Sequence, residues 1–130
     1  MKTFEEEYPL ISSDAKILHL TIKKRWFDMI KSRQKNIEYR AFKRYWILRL
    51  VSNYKRGRDR HGKLSIILPS EIIYNKFDYV YFKNGYSSVS PTLLIECNEI
   101  DLGLERVPFG AIKGEIYFRI FLGRHICKGI

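Results

Sequence analysis

Alternation between apolar and polar residues is the clearest pattern along this chain of 130 residues. Successive side chains of a strand point to opposite faces, so period-two alternation predicts a strand with one buried face. In the first such segment, Leu18, Leu20 and Ile22 are predicted to face the core, while His19 and Thr21 share the opposite face. The same pattern predicts strands at residues 16–23, 35–40, 77–83, 92–99 and 116–122.

Two further segments repeat apolar residues at helical spacing. Residues 24–33 and 42–54 place apolar side chains three and four positions apart, which predicts two helices. Trp46, Leu50 and Tyr54 form the stripe of the second helix. The aromatic residues of this helix are predicted to belong to the core rather than to a surface that stacks nucleobases.

The predicted order is strand, helix, strand, helix, and then three or more strands joined by turns. This order predicts an α+β fold, a small mixed β-barrel flanked by two or three helices. Residues 1–15 are mixed in character and predict an N-terminal arm, and residues 16–130 predict one domain. The last strand is predicted to stop at Gly123, with a short continuation over residues 124–126 as the alternative.

Several classes of protein are excluded by what the sequence lacks. No apolar run approaches the length of a membrane span, and the three consecutive glutamates near the start oppose a secretory signal, so a cytoplasmic protein without a membrane partner is predicted. Cys97 and Cys127 match no metal-ligand spacing and are predicted to be reduced thiols. No phosphate-cradling glycine loop precedes a lysine and a Ser or Thr, which excludes the common nucleoside triphosphatases. Neither a cofactor nor a metal is predicted.

The charge is concentrated in one third of the chain. Residues 23–63 hold fifteen Lys and Arg against three Asp and Glu, a net charge of +12. The remaining residues hold nine against eleven, a net charge of −2, which completes the total of +10. Such clustering is typical of proteins that meet phosphates. The alternative is a well-solvated basic surface with no ligand.

The hexapeptide KNIEYR at residues 35–40 lies at the centre of this basic third. If it is a strand, Glu38 and Arg40 project from one face, and Lys35 arrives from the preceding turn. An acid and a base on the same strand face are typical of the wall of a polar site. The alternative is a surface strand with a weak pair of opposite charges.

The order of the motifs resembles the ASCH domain family, a branch of the PUA-like β-barrel superfamily. The motifs are LHLTIKK at 18–24, WFDMI at 26–30 and KNIEYR at 35–40, the last of which is similar to the family's G-x-K-x-x-E-x-R signature. FKNGY at 82–86, the strand ending in Glu96 and YFRIFLG at 117–123 fit short bacterial and bacteriophage members. The resemblance covers about residues 16–126, and the signature glycine falls at Arg33.

The resemblance implies a PUA-like barrel with a cleft that carries Lys35, Glu38 and Arg40, and a ligand that is RNA or a modified nucleotide. Arg40 is expected to bind phosphate or a base edge, and Tyr39 or Tyr86 to stack a base. Together with the basic loop that follows the second helix, the predicted binding residues are Lys23, Lys24, Arg33, Lys35, Glu38, Tyr39, Arg40, Arg56, Arg58, Arg60, Asn84 and Tyr86.

Two alternatives stay open at this point. Some family members resemble hydrolases that remove an acyl group from N4-acylated cytidine, and others ribonucleases. If this chain is such an enzyme, Lys35 is expected to act as base or nucleophile with Glu38 as its proton partner, although the family's threonine position holds Glu38. The second alternative is a phage protein whose basic face binds a host protein. The sequence predicts no oligomeric state.

Overall fold

A computed structural model describes residues 3–54, 72–87, 89–105 and 114–129. These residues form a mixed α+β structure with one five-stranded sheet in the order β1-β3-β4-β5-β2, which confirms the α+β part of the prediction. No helix in the described ranges is long and apolar enough to cross a membrane. The elements are α1 (Phe4–Glu7), β1 (Ile17–Ile22), α2 (Lys24–Lys31), β2 (Ile37–Ala41), α3 (Arg44–Leu50), β3 (Tyr79–Asn84), β4 (Thr92–Leu104) and β5 (Ile116–Ile126).

The chain divides into two compact units. The first contains Met1–Glu38, Phe77–Glu99 and Phe121–Ile130, and the second contains Tyr39–Lys76 and Ile100–Ile120. Strands β2, β4 and β5 each contribute residues to both units.

The core of the first unit forms where β1 pairs in parallel with β3, and β3 pairs antiparallel with β4. Leu18 lies beside Val80, and Leu20 lies beside Phe82. All four side chains are buried, whereas His19 between the two leucines is exposed. The face of β1 predicted to be buried is therefore confirmed. Apolar burial on this scale is the main stabilising contribution available to so small a unit.

The N-terminal residues begin with α1, whose first turn is capped by the Thr3 hydroxyl accepting from the amide of Glu6. Tyr8 follows the helix and is buried, with its ring 6.2 Å from that of Tyr81. Burial raises the pKa of Tyr8 to about 12, and the neighbouring Tyr81 and Glu7 add to the rise. These residues, predicted as an arm, thus contribute a buried aromatic side chain to the first unit.

The core of the second unit is aromatic and aliphatic. Phe118 is fully buried and meets the rings of Phe42 and Tyr74 at 5.5 and 6.4 Å. Leu50, at the end of α3, is also fully buried. The helix ends there because Val51 adopts an extended conformation and bridges to Tyr74, so the prediction of a helix from 42 to 54 is too long at both ends.

A bidentate ion pair crosses the second unit between Arg119 and Asp101, with both nitrogen–oxygen distances 2.7 Å. A β-carbon at Gly103 would lie 2.4 Å from the guanidinium carbon of Arg119. A side chain at this position of β4 would therefore displace the guanidinium of Arg119 from its pair with Asp101. The same guanidinium also contacts the end of β4, because it donates to the backbone carbonyl of Leu104 at 3.1 Å.

The last strand does not stop at Gly123, because β5 runs through it to Ile126, which confirms the alternative of a continuation over residues 124–126. A β-carbon at Gly123 would lie 2.4 Å from the side-chain oxygen of Asn98. Gly123 therefore lets the side chain of Asn98 approach the backbone of β5 closely. A glycine inside a strand often marks such a close approach.

The placement of Leu18 predicts a large stability effect. Leu18 is 1% exposed, so Leu18→Ala is expected to lower the free energy of unfolding by about 2–5 kcal/mol through lost burial and a residual cavity. Leu10 is 97% exposed, and Leu10→Ala is the matched control, expected to stay within about 0.5 kcal/mol of the parent. Urea denaturation measures both changes. Equal losses in the two variants would contradict the assignment of Leu18 to the core.

Candidate functional site

The turn between α2 and β2 has an unusual backbone. Arg33 has φ of 68°, and in the described ranges it is the only non-glycine residue with positive φ. Its amide donates to the carbonyl of Ile30, and the amide of Lys35 donates to the carbonyl of Met29, both at 3.0 Å. A left-handed residue after the last helical turn lets backbone amides donate to the last carbonyls of the helix, and this residue is usually glycine. Arg33 therefore occupies the backbone conformation that glycine favours.

Lys35 enters the protein directly after this turn and is buried together with Glu38. The two side chains form an ion pair with 2.8 Å between the ammonium nitrogen and the carboxylate oxygen. The ammonium also donates to the carbonyl of Ile37 at 2.5 Å and lies 5.7 Å from the centre of the Trp26 ring. Burial of two charges is tolerated only with partners at this range, because desolvation of each is costly.

Burial of Glu38 corrects one expectation from the sequence. Lys35 is 1% exposed and Glu38 is 6% exposed, and both residues flanking Glu38 in β2 are buried as well. The alternation in KNIEYR predicted a half-buried strand with an open polar face, and that prediction is wrong at Glu38. The reason is that the ammonium of Lys35 covers the carboxylate, so this face needs no contact with water.

A cavity of about 200 Å³ opens beside the α2–β2 turn. Its charged or titratable lining residues in the described ranges are Arg33, Lys35, Arg124 and His125, and none of them is acidic. The start of β2 meets β5 here, because the amide of Leu122 donates to the carbonyl of Asn36 at 2.9 Å. This contact brings two basic residues from the end of the chain next to the predicted site.

The electrostatics of the cavity are visible at His125. Partial burial lowers the pKa of this imidazole below its usual value, and the nearby positive charge of Arg33 lowers it further. The charge of Arg33 therefore makes a further positive charge at His125 less favourable. Arg124 balances part of its charge with Glu96, at 3.1 Å in a pair that is largely exposed.

The parallel pairing of β1 with β3 brings four predicted binding residues to the same edge of the sheet. Ile22 at the end of β1 lies beside Asn84 at the end of β3, and the strands are parallel. Lys23 and Lys24 therefore leave the same sheet edge as the loop that carries Tyr86, which is 91% exposed. Lys24 forms an exposed ion pair with Asp28, which contributes little to stability.

The remaining predicted residues of β2 lie in the second unit. Tyr39 is buried with its ring 5.8 Å from that of Tyr117, so Tyr86 is the more accessible of the two predicted stacking residues. Arg40 lies over the indole of Trp46, with 4.8 Å between the guanidinium carbon and the ring centre. Arg56, Arg58 and Arg60 lie outside the described residues.

Arg40 belongs to a cluster that the sequence did not single out. We call Arg40, Tyr45, Trp46 and Arg49 the arginine–aromatic cluster. Arg49 lies 5.1 Å from the Trp46 ring centre and 5.6 Å from that of Tyr45, and it donates to the Tyr45 hydroxyl at 3.3 Å. Tyr45 is 62% exposed and Trp46 is half-buried, so the prediction that the α3 aromatics belong to the core is wrong for Tyr45. The four-residue spacing of Tyr45 and Arg49 was the available signal.

A larger cavity of about 550 Å³ has the opposite character. Asp14, Asp78 and Glu96 line it, together with Cys97. Burial raises the pKa of Cys97 to about 11, and the adjacent Asp78 adds to the rise, so the thiol is protonated at neutral pH. These side chains are not placed to hold a metal ion together, and no group of three or more that could do so is found in the described part of the chain. The acidic lining of this larger cavity would repel phosphate, and the cavity at Arg33 is therefore the better candidate for the predicted ligand.

Comparison with known proteins gives no match at any level: no family model, no curated protein and no solved structure matches this chain.

The Lys35–Glu38 pair predicts strong energetic coupling. Lys35→Met is expected to lower the free energy of unfolding by about 3–5 kcal/mol, because it leaves the buried Glu38 carboxylate without the ammonium. Lys35→Met combined with Glu38→Leu removes both charges and is expected to be more stable than the single Lys35→Met variant. Chemical denaturation of both single variants and the double variant measures the coupling. Additive effects would contradict a direct pair.

The backbone of Arg33 predicts a gain in stability on substitution by glycine. A left-handed non-glycine residue costs about 1–2 kcal/mol, so Arg33→Gly is expected to raise the free energy of unfolding, less the added entropy of glycine in the unfolded chain. Lys31→Gly, in the last turn of α2, is the control and is expected to be destabilising by up to about 1 kcal/mol. Thermal denaturation distinguishes them. A destabilised Arg33→Gly variant would contradict the assigned backbone.

Proposed function

We propose that this protein is an RNA- or nucleotide-binding module. The observation that carries the proposal is the arginine–aromatic cluster, in which two guanidinium groups lie over the rings of Tyr45 and Trp46. Proteins that bind single-stranded nucleic acids combine cations that contact phosphates with aromatic rings on which bases stack. The 62% exposure of Tyr45 leaves much of its side chain accessible to a base.

Charge adds a second line of support. The cluster lies within residues 23–63, which carry the net charge of +12. In the other unit, Lys23 and Lys24 leave the sheet at the same edge as Asn84 and Tyr86. Cations at such positions release counterions from a phosphate backbone, and this release favours binding of any nucleic acid.

A PUA-like barrel of the ASCH type is the finer form of the proposal. Its support is the order of elements, in which β1, α2, β2 and α3 precede three further strands in the described ranges. Further support comes from Arg33, because the left-handed conformation falls at the position of the signature glycine. The resemblance would then extend to the backbone of the turn even where the side chain differs.

The hydrolase alternative receives less support from the geometry. A lysine that acts as base or nucleophile must lose its proton, and burial alone would favour that loss. The carboxylate of Glu38 at 2.8 Å and the carbonyl of Ile37 instead stabilise the charged ammonium of Lys35. An ion pair that stabilises the turn is the simpler role for both residues.

Salt-dependent binding tests the proposal. Fluorescence anisotropy with a short single-stranded RNA is expected to show saturable binding. A plot of the logarithm of the association constant against the logarithm of the salt concentration is expected to have a slope of about −0.7 for each phosphate contacted. Tyr45→Leu is expected to weaken binding by roughly five- to 150-fold, because a stacked base contributes about 1–3 kcal/mol. The RNA recovered afterwards is expected to be intact.

Ile73→Ala serves as the control, because Ile73 is an exposed apolar residue of the same unit outside the cluster. Its affinity for the RNA is expected to match that of the parent protein. Absence of saturable binding to RNA and single-stranded DNA at low salt would refute the proposal. Cleavage of the RNA that is lost in Lys35→Met would instead favour the hydrolase.

A further inference from the structure

We propose that the cavity beside the α2–β2 turn binds a phosphate group and that Arg33 is its principal ligand-binding residue. The inference rests on the proposed function for the source of the phosphate, which is a nucleotide or nucleic acid. It assigns a binding role to Arg33, Arg124 and His125, of which the last two follow Gly123 in β5.

The chemistry of the lining favours an oxyanion. Two arginines line the cavity, and guanidinium binds phosphate through paired, charge-assisted hydrogen bonds. His125 and Asn36 are further polar residues of the lining. A volume of about 200 Å³ is below the roughly 300–1,000 Å³ of sites that enclose a whole small molecule, so one group of a larger ligand fits best.

The backbone of Arg33 supplies the independent observation. The turn requires positive φ, which glycine would adopt without strain, yet the residue present is arginine. A strained backbone conformation persists only where the surrounding structure holds it, and such outliers cluster at functional sites. Here the strained residue is also the one that lines the cavity with a cation, so the conformation and the charge point to the same role.

Two features oppose an anion at this place. The carbonyl end of α2 carries partial negative charge, but the carbonyls of Asp28, Met29 and Ile30 already accept backbone amides within the turn. Glu96 competes for Arg124, although its pair with Arg124 is largely exposed and therefore weak. Lys35 adds little net charge because Glu38 compensates it. Arg33 is thus the cation that decides the sign of the cavity.

His125 is a built-in reporter of occupancy. The charged groups that line the cavity with it are Arg33, Lys35 and Arg124. Glu96 does not line the cavity but forms an ion pair with Arg124. A bound phosphate adds negative charge, which favours the imidazolium and raises the pKa of His125. Removing Arg33 also raises the pKa of His125 in the free protein, because Arg33 contributes to the lowering.

An NMR titration of the histidine side chains tests the inference, with His125→Gln used to assign the resonance. Inorganic phosphate, compared with chloride at equal ionic strength, is expected to raise the pKa of His125 in the parent protein. In Arg33→Gly the pKa is expected to start higher and to change little with phosphate. Phosphate affinity is expected to fall by roughly ten- to 150-fold, the loss of one or more charge-assisted hydrogen bonds. Lys31→Ala removes one nearby exposed cation and is expected to behave as the parent.

Binding of a short RNA with a 5′-phosphate and of the same RNA with a 5′-hydroxyl distinguishes the sources of phosphate. Loss of affinity in Arg33→Gly for the 5′-phosphorylated RNA alone assigns the cavity to a terminal phosphate, and equal loss for both assigns it to the backbone. Unchanged RNA binding in Arg33→Gly, with a His125 pKa indifferent to phosphate, overturns the inference and leaves the proposed function standing. A phosphate-dependent pKa without any RNA binding keeps the cavity and refutes the proposed function.

Discussion

The ion pair between Lys35 and Glu38 is the constraint on which the candidate site depends. An ammonium with 1% exposure must find compensation within the protein, and it does so at the carboxylate of Glu38 and the carbonyl of Ile37. These partners lie within three residues of Lys35, so the pair holds the turn and the start of β2 together. Two residues before Lys35, Arg33 adopts the left-handed conformation that ends α2, and the backbone amides of Arg33 and Lys35 close the turn on the carbonyls of Ile30 and Met29. The backbone strain and the buried charges are therefore parts of the same local arrangement.

That arrangement separates two roles that the sequence joined. Lys35 was predicted to meet the ligand, and the resemblance made it the catalytic candidate. Because Glu38 compensates its charge, Lys35 has a structural role in the cavity lining. Among the described lining residues, the net positive charge then comes from Arg33 and, in part, from Arg124. A phosphate bound in the proposed cavity would meet cations carried by a hydrogen-bonded turn and a strand, so we expect its binding to need little reorganisation.

The basic third of the chain is divided between two kinds of surface. In the first unit, Arg33 and Lys35 line a small cavity, and Lys23 and Lys24 follow the end of β1 beside the end of β3. In the second unit, Arg40 and Arg49 are interleaved with Tyr45 and Trp46. The first chemistry suits phosphates and the second suits bases, and a nucleotide carries both groups. Exposed aromatic rings beside arginines suit a base as well as a phosphate, and this is our reason for proposing a nucleic-acid ligand rather than an acidic protein.

The sequence by itself determined the order of elements from β1 onward, the buried face of β1 and the basic character of residues 23–63. These follow from local periodicity and composition, since side chains alternate along any strand whatever it pairs with. Only the tertiary structure decided that Glu38 is buried, that Tyr45 is exposed, and that Arg124 and His125 join Arg33. The bond between Leu122 and Asn36 brings those distant residues together. Strand pairing across long separations leaves no mark in local periodicity, and it therefore cannot be predicted from one sequence.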